Sequence, residues 1–308
     1  MSFEIEQKID KIPIINQLVR LTKKIKLPWL EGLSFYDLME LYIIGIAKGA
    51  FSYRAGAIAF SFFMALFPFA LFILNLIPYI PIEGFEKDFL RFVEEGVPPN
   101  TFEAIKAIID DILNNSYKGL LSSGFILSIF LMSNGLNAIL GGFETSYHIS
   151  INRSFIRQYF IALLMSLLFS IILIVTIVAI LISEIIIQDV HLHRIWDTDT
   201  TLIEMIRYGF VVLMILITTS MLFKFGTKEV KRVAFISIGS VFTTLLIMLS
   251  SYIFGIYVVK FAKYNELYGS IGTLLILMFY IWINCMILLL GFELNATIHK
   301  LKRKNLFD

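Results

Sequence analysis

The sequence predicts an all-α polytopic membrane protein, a helical bundle that crosses a membrane six times with both termini in the cytoplasm. Two observations support this fold class. Hydrophobic residues make up 58% of the 308 positions and charged residues only 16%, whereas about a quarter of the residues in a soluble domain are charged. Uncharged apolar runs also recur along the chain, and most of them are long enough to cross about 30 Å of hydrocarbon.

The predicted spans are runs that contain no Asp, Glu, Lys or Arg. One is shorter than the others, but Arg207 and Lys224 at its two ends can extend their charged groups to the membrane surfaces. The spans form a transmembrane domain at 34–300, between a polar cytoplasmic segment at 1–33 and a basic cytoplasmic tail at 301–308. They are 56–80, 119–143, 160–183, 208–223, 233–259 and 267–292, with an outer loop at 81–118.

The distribution of charge orients these spans. With the N-terminus inside, 18 of the 26 basic residues fall in cytoplasmic segments and 14 of the 24 acidic residues fall outside. Basic residues are concentrated on the cytoplasmic side of membrane proteins. Five crossings would break the alternation of charge from loop to loop, so the pattern favours six crossings with both ends inside.

Two further segments have the periodicity of amphipathic helices. Between 34 and 50, apolar residues recur every three or four positions after a capping pair formed by Ser34 and Asp37. This pattern predicts a helix that lies in the cytoplasmic interface. A second amphipathic segment follows Pro98 and Pro99 in the outer loop. It either covers an outward-facing opening or simply packs on the bundle.

Sequence motifs of enzymes and cofactor sites are absent. There is no glycine-rich phosphate loop, zinc-binding helix or nucleophile elbow, so we expect neither catalysis nor a cofactor. His191 and His193, in an acidic segment predicted to be an outer loop, are weak candidates for metal ligands. A solvated acidic loop explains the same residues. Cys285 lies in an apolar run and is interpreted as a small buried hydrophobe.

Polar residues inside the spans recur at helical spacing, so several on one helix share a face. Such residues are costly in hydrocarbon and usually face the bundle interior or a cavity. They predict either a polar groove beside the first, second and sixth spans or hydrogen bonds that hold the helices together. The candidate groove residues are Arg54, Ser61, Pro68, Asn75, Asn134, Asn137, Glu144, Asn284, Glu293 and Asn295.

Individual members of this set carry more specific expectations. Pro68 cannot donate a backbone hydrogen bond, so the first span is expected to bend there. Arg54 either pairs with Glu144 at the cytoplasmic side or contacts an anionic headgroup. Glu293 is predicted to point away from Asn284, since nine residues turn a helix by about half a revolution. We expect it to pair with a basic neighbour at the interface.

A short repeat also occurs in the chain. The tripeptide Gly-Phe-Glu occupies 142–144 and again 291–293, and both copies end helices that run from outside to inside. Internal duplication is common in transporters. Three residues also match easily by chance, so both interpretations stay open.

Three stretches carry a resemblance to a known family. They are Tyr53-Arg54-Ala55-Gly56-Ala57 with the following Phe67-Pro68, Gly135-Leu136-Asn137 running to Glu144, and the ending from Tyr268-Gly269-Ser270 to Leu289-Leu290-Gly291-Phe292-Glu293-Leu294-Asn295-Ala296. In these stretches the chain resembles the YihY/BrkB family of bacterial inner-membrane proteins, from about Ser34 to its end. It departs from the family at Phe292, where relatives usually carry a small residue, and at Lys224-Phe225-Gly226, where they often have a proline-bearing turn.

The resemblance implies six spans and a location in the bacterial cytoplasmic membrane. Members of the family have been called ribonucleases, and they have also been linked to serum resistance and to the movement of lipids. This sequence has no cytosolic cluster of carboxylates or histidines for catalytic metals and no basic channel studded with aromatic residues. Ribonuclease activity and nucleic-acid binding are therefore not expected.

The leading functional prediction is a transporter or flippase of an amphipathic, anionic envelope lipid or solute. Its partners would be membrane lipids and an anionic lipid-linked substrate, and a bent first span would open the polar groove to that substrate. The alternative is a non-transporting membrane scaffold of the cell envelope, in which the polar residues serve only helix packing.

Overall fold

The computed structural model describes residues 34–76, 87, 90–91, 106, 118–146, 154–193, 200–226, 234–261 and 270–305. The predicted N-terminal segment at 1–33 and most of the outer loop lie outside this part of the chain. Every bounded element within it is an α-helix, which confirms the predicted fold class. The helices are α1 (Phe35–Lys48), α2 (Phe51–Leu76), α3 (Lys118–Glu144), α4 (Phe155–His193), α5 (Thr200–Gly226), α6 (Ile238–Phe261) and α7 (Ser270–Asn305).

Helix α1 begins at the predicted capping pair. The Ser34 hydroxyl accepts a hydrogen bond from the Asp37 backbone N–H at 3.3 Å, and the Asp37 carboxylate accepts one from the Ser34 N–H at 2.9 Å. These bonds satisfy two backbone donors that the first helical turn leaves without partners. The helix ends at Gly49, and Ala50 then adopts a φ of 46°, in the left-handed region. The chain turns by 64° into α2 at this point.

Most of the membrane spans are longer as helices than as uncharged runs, whereas α6 is shorter than the run at 233–259. Among the described residues, α4, α5, α6 and α7 each contain a stretch long and apolar enough to cross a membrane, and there is a fifth if the bent pair of α1 and α2 is counted as one span. The count of six and the orientation of the ends stay predictions. Helix α4 continues to His193. His191 and His193, which are predicted to lie in an outer loop, therefore belong to the last turn of a helix, because charged residues end a hydrocarbon span without ending its helix.

The helices pack as a ring in chain order. Each of α2 to α7 contacts the next one, α7 closes the ring against α2, and α1 packs on α7. At 1.5 Å per residue the 36 residues of α7 extend about 54 Å, more than the hydrocarbon thickness. Its last turns run into the predicted basic tail, where Leu301 and Ile298 pack with Leu38 of α1.

The centre and the rim of the bundle differ in the way a membrane protein requires. The buried core joins residues of α2, α3 and α7, among them Ala55, Leu136 and Leu289. Large apolar side chains are exposed on the rim, including Phe160 on α4 and Leu249 on α6. Acyl chains can cover such surfaces without cost. The chain is therefore a multi-pass membrane protein.

The two Gly-Phe-Glu copies meet inside this core. The rings of Phe143 and Phe292 stack with centroids 4.1 Å apart and planes 9° apart. Phe223 of α5 contacts both rings edge-on, at 5.7 and 6.0 Å. The glycine of each copy faces the preceding helix in the chain, Gly142 towards Ile58 of α2 and Gly291 towards α6. The repeated tripeptide thus makes equivalent contacts in two helix pairs.

Close packing at Gly291 generates a stability prediction. A Cβ added there would clash with the Thr243 hydroxyl and lie 2.9 Å from the carbonyl oxygen of Gly239. We expect Gly291→Ala to lower the free energy of unfolding by about 1–3 kcal/mol, the usual effect of overpacking. Thermal unfolding of the purified protein in detergent measures this. Gly255→Ala on α6 is the matched control, because nothing lies within 4 Å of that position, and equal melting of both variants would contradict the prediction.

Candidate functional site

A pair of opposite charges lies inside the bundle at the end predicted to be cytoplasmic. Arg54 near the start of α2 is only 7% exposed, and Glu293 on α7 is fully buried. The guanidinium and the carboxylate attract each other electrostatically. Removing either ion from water costs several kcal/mol in a folded protein unless partners compensate. We call this pair, with the groups that bind it, the Arg54–Glu293 centre.

The guanidinium of Arg54 joins two helix ends. Its Nη1 donates to the carbonyl oxygen of Gly49 at 2.9 Å, and its Nη2 donates to the carbonyl oxygen of Gly142. Both acceptors lie at helix C-termini, where carbonyl groups lack helical partners and carry partial negative charge. The guanidinium carbon also lies 5.1 Å from the centroid of the Phe51 ring. One side chain therefore holds the end of α1, the start of α2 and the end of α3.

The carboxylate of Glu293 has its own set of partners. Ser146, two residues beyond α3, donates its hydroxyl hydrogen to Oε2 at 2.7 Å. Lys300, two turns further along α7, adds a second favourable electrostatic interaction. Tyr42 of α1 donates to the carbonyl oxygen of Leu290 at 3.1 Å, one turn before Glu293. Helices α1, α2, α3 and α7 thus all meet at this carboxylate.

The geometry of the two charges differs in part from the sequence-based expectations. Glu293 is attracted by the basic groups of Arg54 and Lys300, and its side chain is fully buried among the helices, while its depth in the membrane stays a prediction. The carboxylate that attracts Arg54 is Glu293. Glu144, the partner considered from sequence, is buried at the last position of α3.

The candidate residues of α3 face a different neighbour. Gln158 of α4 donates its side-chain N–H to the carbonyl oxygen of Asn137 at 3.3 Å, and it also lies beside Gly141. Asn137 Oδ1 is buried and has no hydrogen-bond partner within the described ranges. Asn134 is half-buried. The backbone of α3 at Asn137 and Gly141 therefore contacts Gln158 of α4.

The asparagines of α7 bind the neighbouring helix α6. Asn284 donates to the Tyr280 carbonyl oxygen at 2.8 Å and accepts from Ser250 at 3.5 Å. Asn295 accepts from the Gly239 backbone N–H at 2.9 Å and donates to the Ser237 hydroxyl at 2.7 Å. Because Gly239 lies in the first turn of α6, Asn295 satisfies a donor that the helix itself cannot.

The remaining candidates lie on α2. The hydroxyl of Ser61 donates to the Ala57 carbonyl oxygen of its own helix at 3.0 Å. Pro68 and Asn75 lie within the helix, and their side chains fall outside the described set. The structure thus brings Arg54 and Glu293 together, while Asn284 and Asn295 bond to α6. One groove lined by all ten residues stays a prediction.

Several residues of the centre were not among the sequence candidates. Ser146 follows a helix end and Tyr42 belongs to the apolar face of α1, so neither has a polar pattern of its own. Every residue has a backbone carbonyl, so the sequence cannot identify those of Gly49 and Gly142 as acceptors for Arg54. The one sequence feature that points to the centre is the Gly-Phe-Glu repeat, since Ser146 lies two residues after the first copy and Glu293 ends the second.

His191 and His193 are weak candidates for metal ligands from the sequence. No three His, Cys, Asp or Glu side chains are grouped for metal binding in the portion that the structure describes. His191 and His193 belong to the last turn of α4, and their side chains lie outside that portion. The metal role of these two histidines stays an untested prediction.

Comparison with known proteins decides the family. The family described as virulence factor BrkB matches residues 45–306. The chain belongs to this family. Its resemblance to YihY/BrkB proteins is thereby confirmed, and the match includes Arg54, both Gly-Phe-Glu copies and Glu293.

Individual relatives are similar over most of their length. The ribonuclease-like protein YfkH of Bacillus subtilis (strain 168) is 31% identical over 254 residues, which cover 81% of this chain and 90% of the relative. UPF0761 membrane proteins of Coxiella burnetii, from strains Dugway 5J108-111 and RSA 493 / Nine Mile phase I, are 25% identical over 257 residues, covering 80% of this chain and 87% of each relative. No solved structure matches the chain.

The charge pair generates a second stability prediction. Arg54→Leu is expected to lower the free energy of unfolding by about 3–5 kcal/mol, because it leaves the buried Glu293 without its main counter-charge. The double variant Arg54→Leu/Glu293→Leu should lose less than the sum of the two single variants, since neither charge then remains unpaired. Denaturant unfolding of the purified protein in detergent measures all three.

Arg157→Leu serves as the control for the loss of a positive charge, because Arg157 is exposed near the start of α4. This substitution should change the free energy of unfolding by no more than about 0.5 kcal/mol. Strict additivity of the Arg54 and Glu293 substitutions would contradict the pairing described above.

Proposed function

We propose that this BrkB-family membrane protein moves an amphipathic, anionic lipid or solute of the bacterial envelope across the cytoplasmic membrane. The observation that carries the proposal is the Arg54–Glu293 centre. Ionised side chains within membrane helices are costly, and they commonly mark the path of a substrate or ion. A scaffold could use apolar residues at these positions, because well-packed apolar replacements of buried ion pairs are often at least as stable.

The helix break beside the centre supports the same proposal. Arg54 lies four residues after the 64° turn between α1 and α2. Transporters bind substrates where discontinuous helices expose backbone groups to a cavity. Arg54 Nε and Asn137 Oδ1 are buried without a hydrogen-bond partner in the described residues. Such atoms are uncommon in folded proteins and suit a bound water or ligand.

The proposed charge of the substrate follows from Arg54. A guanidinium presents a planar set of donors that fits a phosphate or carboxylate. An anionic headgroup could take the place of the Glu293 carboxylate at this guanidinium, while an apolar tail lies along the exposed apolar rim of the bundle. Membrane lipids and lipid-linked envelope molecules combine these two features.

A second candidate function, a non-transporting envelope scaffold, is supported by other contacts. Asn284 and Asn295 bind α6, and Ser133 and Ser166 lie 3.1 Å apart between α3 and α4. Hydrogen bonds of this kind hold membrane helices together. Ribonuclease chemistry is not part of the proposal, although one relative is named ribonuclease-like, because the charged centre lies inside the bundle.

The proposed location is the cytoplasmic membrane with both termini in the cytoplasm, and its support is the bias of basic residues. Alkaline phosphatase, which is active only outside the cytoplasm, should be inactive when fused after Asp308 and active when inserted in the loop at 81–118. A fluorescent protein that matures only in the cytoplasm should give the opposite pattern. Phosphatase activity at the C-terminus would contradict an even number of crossings.

Lipid movement is tested with the full chain in vesicles that contain a fluorescent phosphatidylglycerol. We expect the rate of transbilayer movement to exceed that of protein-free vesicles. Asn137→Ala should reduce this rate, because it removes a buried acceptor available to a ligand. The control is Thr218→Val on α5, whose hydroxyl donates only within its own helix, to the Met214 carbonyl oxygen at 2.8 Å. Equal rates for the wild type and protein-free vesicles would favour the scaffold.

A further inference from the structure

Glu293 is surrounded by groups from every helix that packs on its part of α7. Helix α1 supplies Tyr42, and α2 supplies Arg54. Helix α3 ends in Glu144 and is followed by Ser146, while Lys300 lies on α7 itself. Helix α6 carries no charged residue from Ile238 to Val259. Arg54 is the positive charge on another helix that attracts Glu293.

We infer that Glu293 is a proton-binding site that couples the proposed transport to a proton gradient. This inference rests on the proposed function. The energy source would be the proton gradient. Glu293 would bind the proton and Arg54 the anion, and the two binding events would be linked. In the centre, a fully buried carboxylate and a buried guanidinium attract each other, and each also has neutral hydrogen-bond partners that remain when Glu293 is protonated.

The charges of the two states explain the coupling. When Glu293 is ionised, it neutralises Arg54, and an anion gains little at the guanidinium. When Glu293 accepts one proton from a hydronium ion of the cytoplasmic water, an O–H bond forms at the carboxylate and a water molecule is left. Arg54 then carries an uncompensated positive charge that an anionic headgroup can neutralise. A proton and an anion therefore favour each other's binding, and this linkage is reciprocal.

Protonation of Glu293 also affects the helix break, because Arg54 interacts with both Glu293 and the end of α1. The guanidinium donates to Gly49 at the end of α1 and to Gly142 at the end of α3. Any movement of the guanidinium towards a substrate therefore changes contacts on both sides of the turn at Ala50. Ser146 can continue to donate to the carboxyl group after protonation, because a carboxylic acid retains an acceptor oxygen. The site can thus hold either charge state without losing its fold.

The transport test compares three forms of the full chain in phosphatidylethanolamine vesicles with fluorescent phosphatidylglycerol. Glu293→Gln preserves the shape of the side chain and removes its charge permanently. Glu40→Gln is the control, since Glu40 is a half-buried carboxylate elsewhere on α1. An imposed pH gradient should accelerate lipid movement by the wild type and by Glu40→Gln. Glu293→Gln should lose this acceleration, and an unchanged response in that variant would overturn the inference.

Proton binding has an independent test by infrared difference spectroscopy during a pH titration of the purified protein. The band of a buried protonated carboxylic acid, distinguished by its frequency from the bands of the solvated carboxyl groups, should be present in the wild type, Glu40→Gln and Glu144→Gln, and absent in Glu293→Gln. Loss of this band in Glu144→Gln instead, or its absence from the wild type, would overturn the assignment. Glu293→Asp should restore a titrating band, which excludes misfolding of the glutamine variant as the cause.

The two proposals can fail separately. If the wild type moves no lipid, the proposed function and its coupling to protons both fail, whereas the infrared titration still decides whether Glu293 binds a proton. If lipid moves at the same rate with and without the gradient while Glu293 titrates, only the coupling is overturned.

Discussion

A guanidinium within an apolar bundle sets requirements on several helices at once. Arg54 cannot lose its charge in a protein, so the surrounding structure must supply acceptors and a negative group. The helix-terminal carbonyls of Gly49 and Gly142 provide the first, and Glu293 provides the second. These contacts determine where α1 ends, how α3 approaches α2, and why α7 returns to the first span. The aromatic stack of Phe143 and Phe292 lies beside these contacts and fills the space between the two helices.

Polar contacts elsewhere in the bundle differ from those of the Arg54–Glu293 centre. Away from it, hydroxyls such as those of Ser61 and Thr218 bond to carbonyls of their own helices, and Asn295 completes the first turn of α6. Those bonds are neutral, and each involves one helix or one pair of helices. Only the Arg54–Glu293 centre combines charge, burial and contact with four helices in the described residues. This difference is the reason to assign it a function beyond packing.

Much of the fold could be predicted from the sequence because its causes are local. Hydropathy identifies the spans, and the pairing of Ser34 with Asp37 identifies the start of α1. The length of α4 could not be obtained in the same way, since hydropathy reports where the hydrocarbon ends and not where the backbone leaves the helix. The partner of Arg54 was equally inaccessible. It depends on how α7 is rotated against α2, and no spacing within a single helix encodes that rotation.

The closure of the ring between α2 and α7 has a consequence for biosynthesis. Roughly 240 residues separate Arg54 from Glu293, and a ribosome adds about 5–20 residues per second. The nascent chain therefore holds a lone positive charge at the membrane surface for tens of seconds before its counter-ion is translated. Because an unpaired charge is costly in hydrocarbon, the first helices must until then remain near the insertion machinery or the polar headgroups.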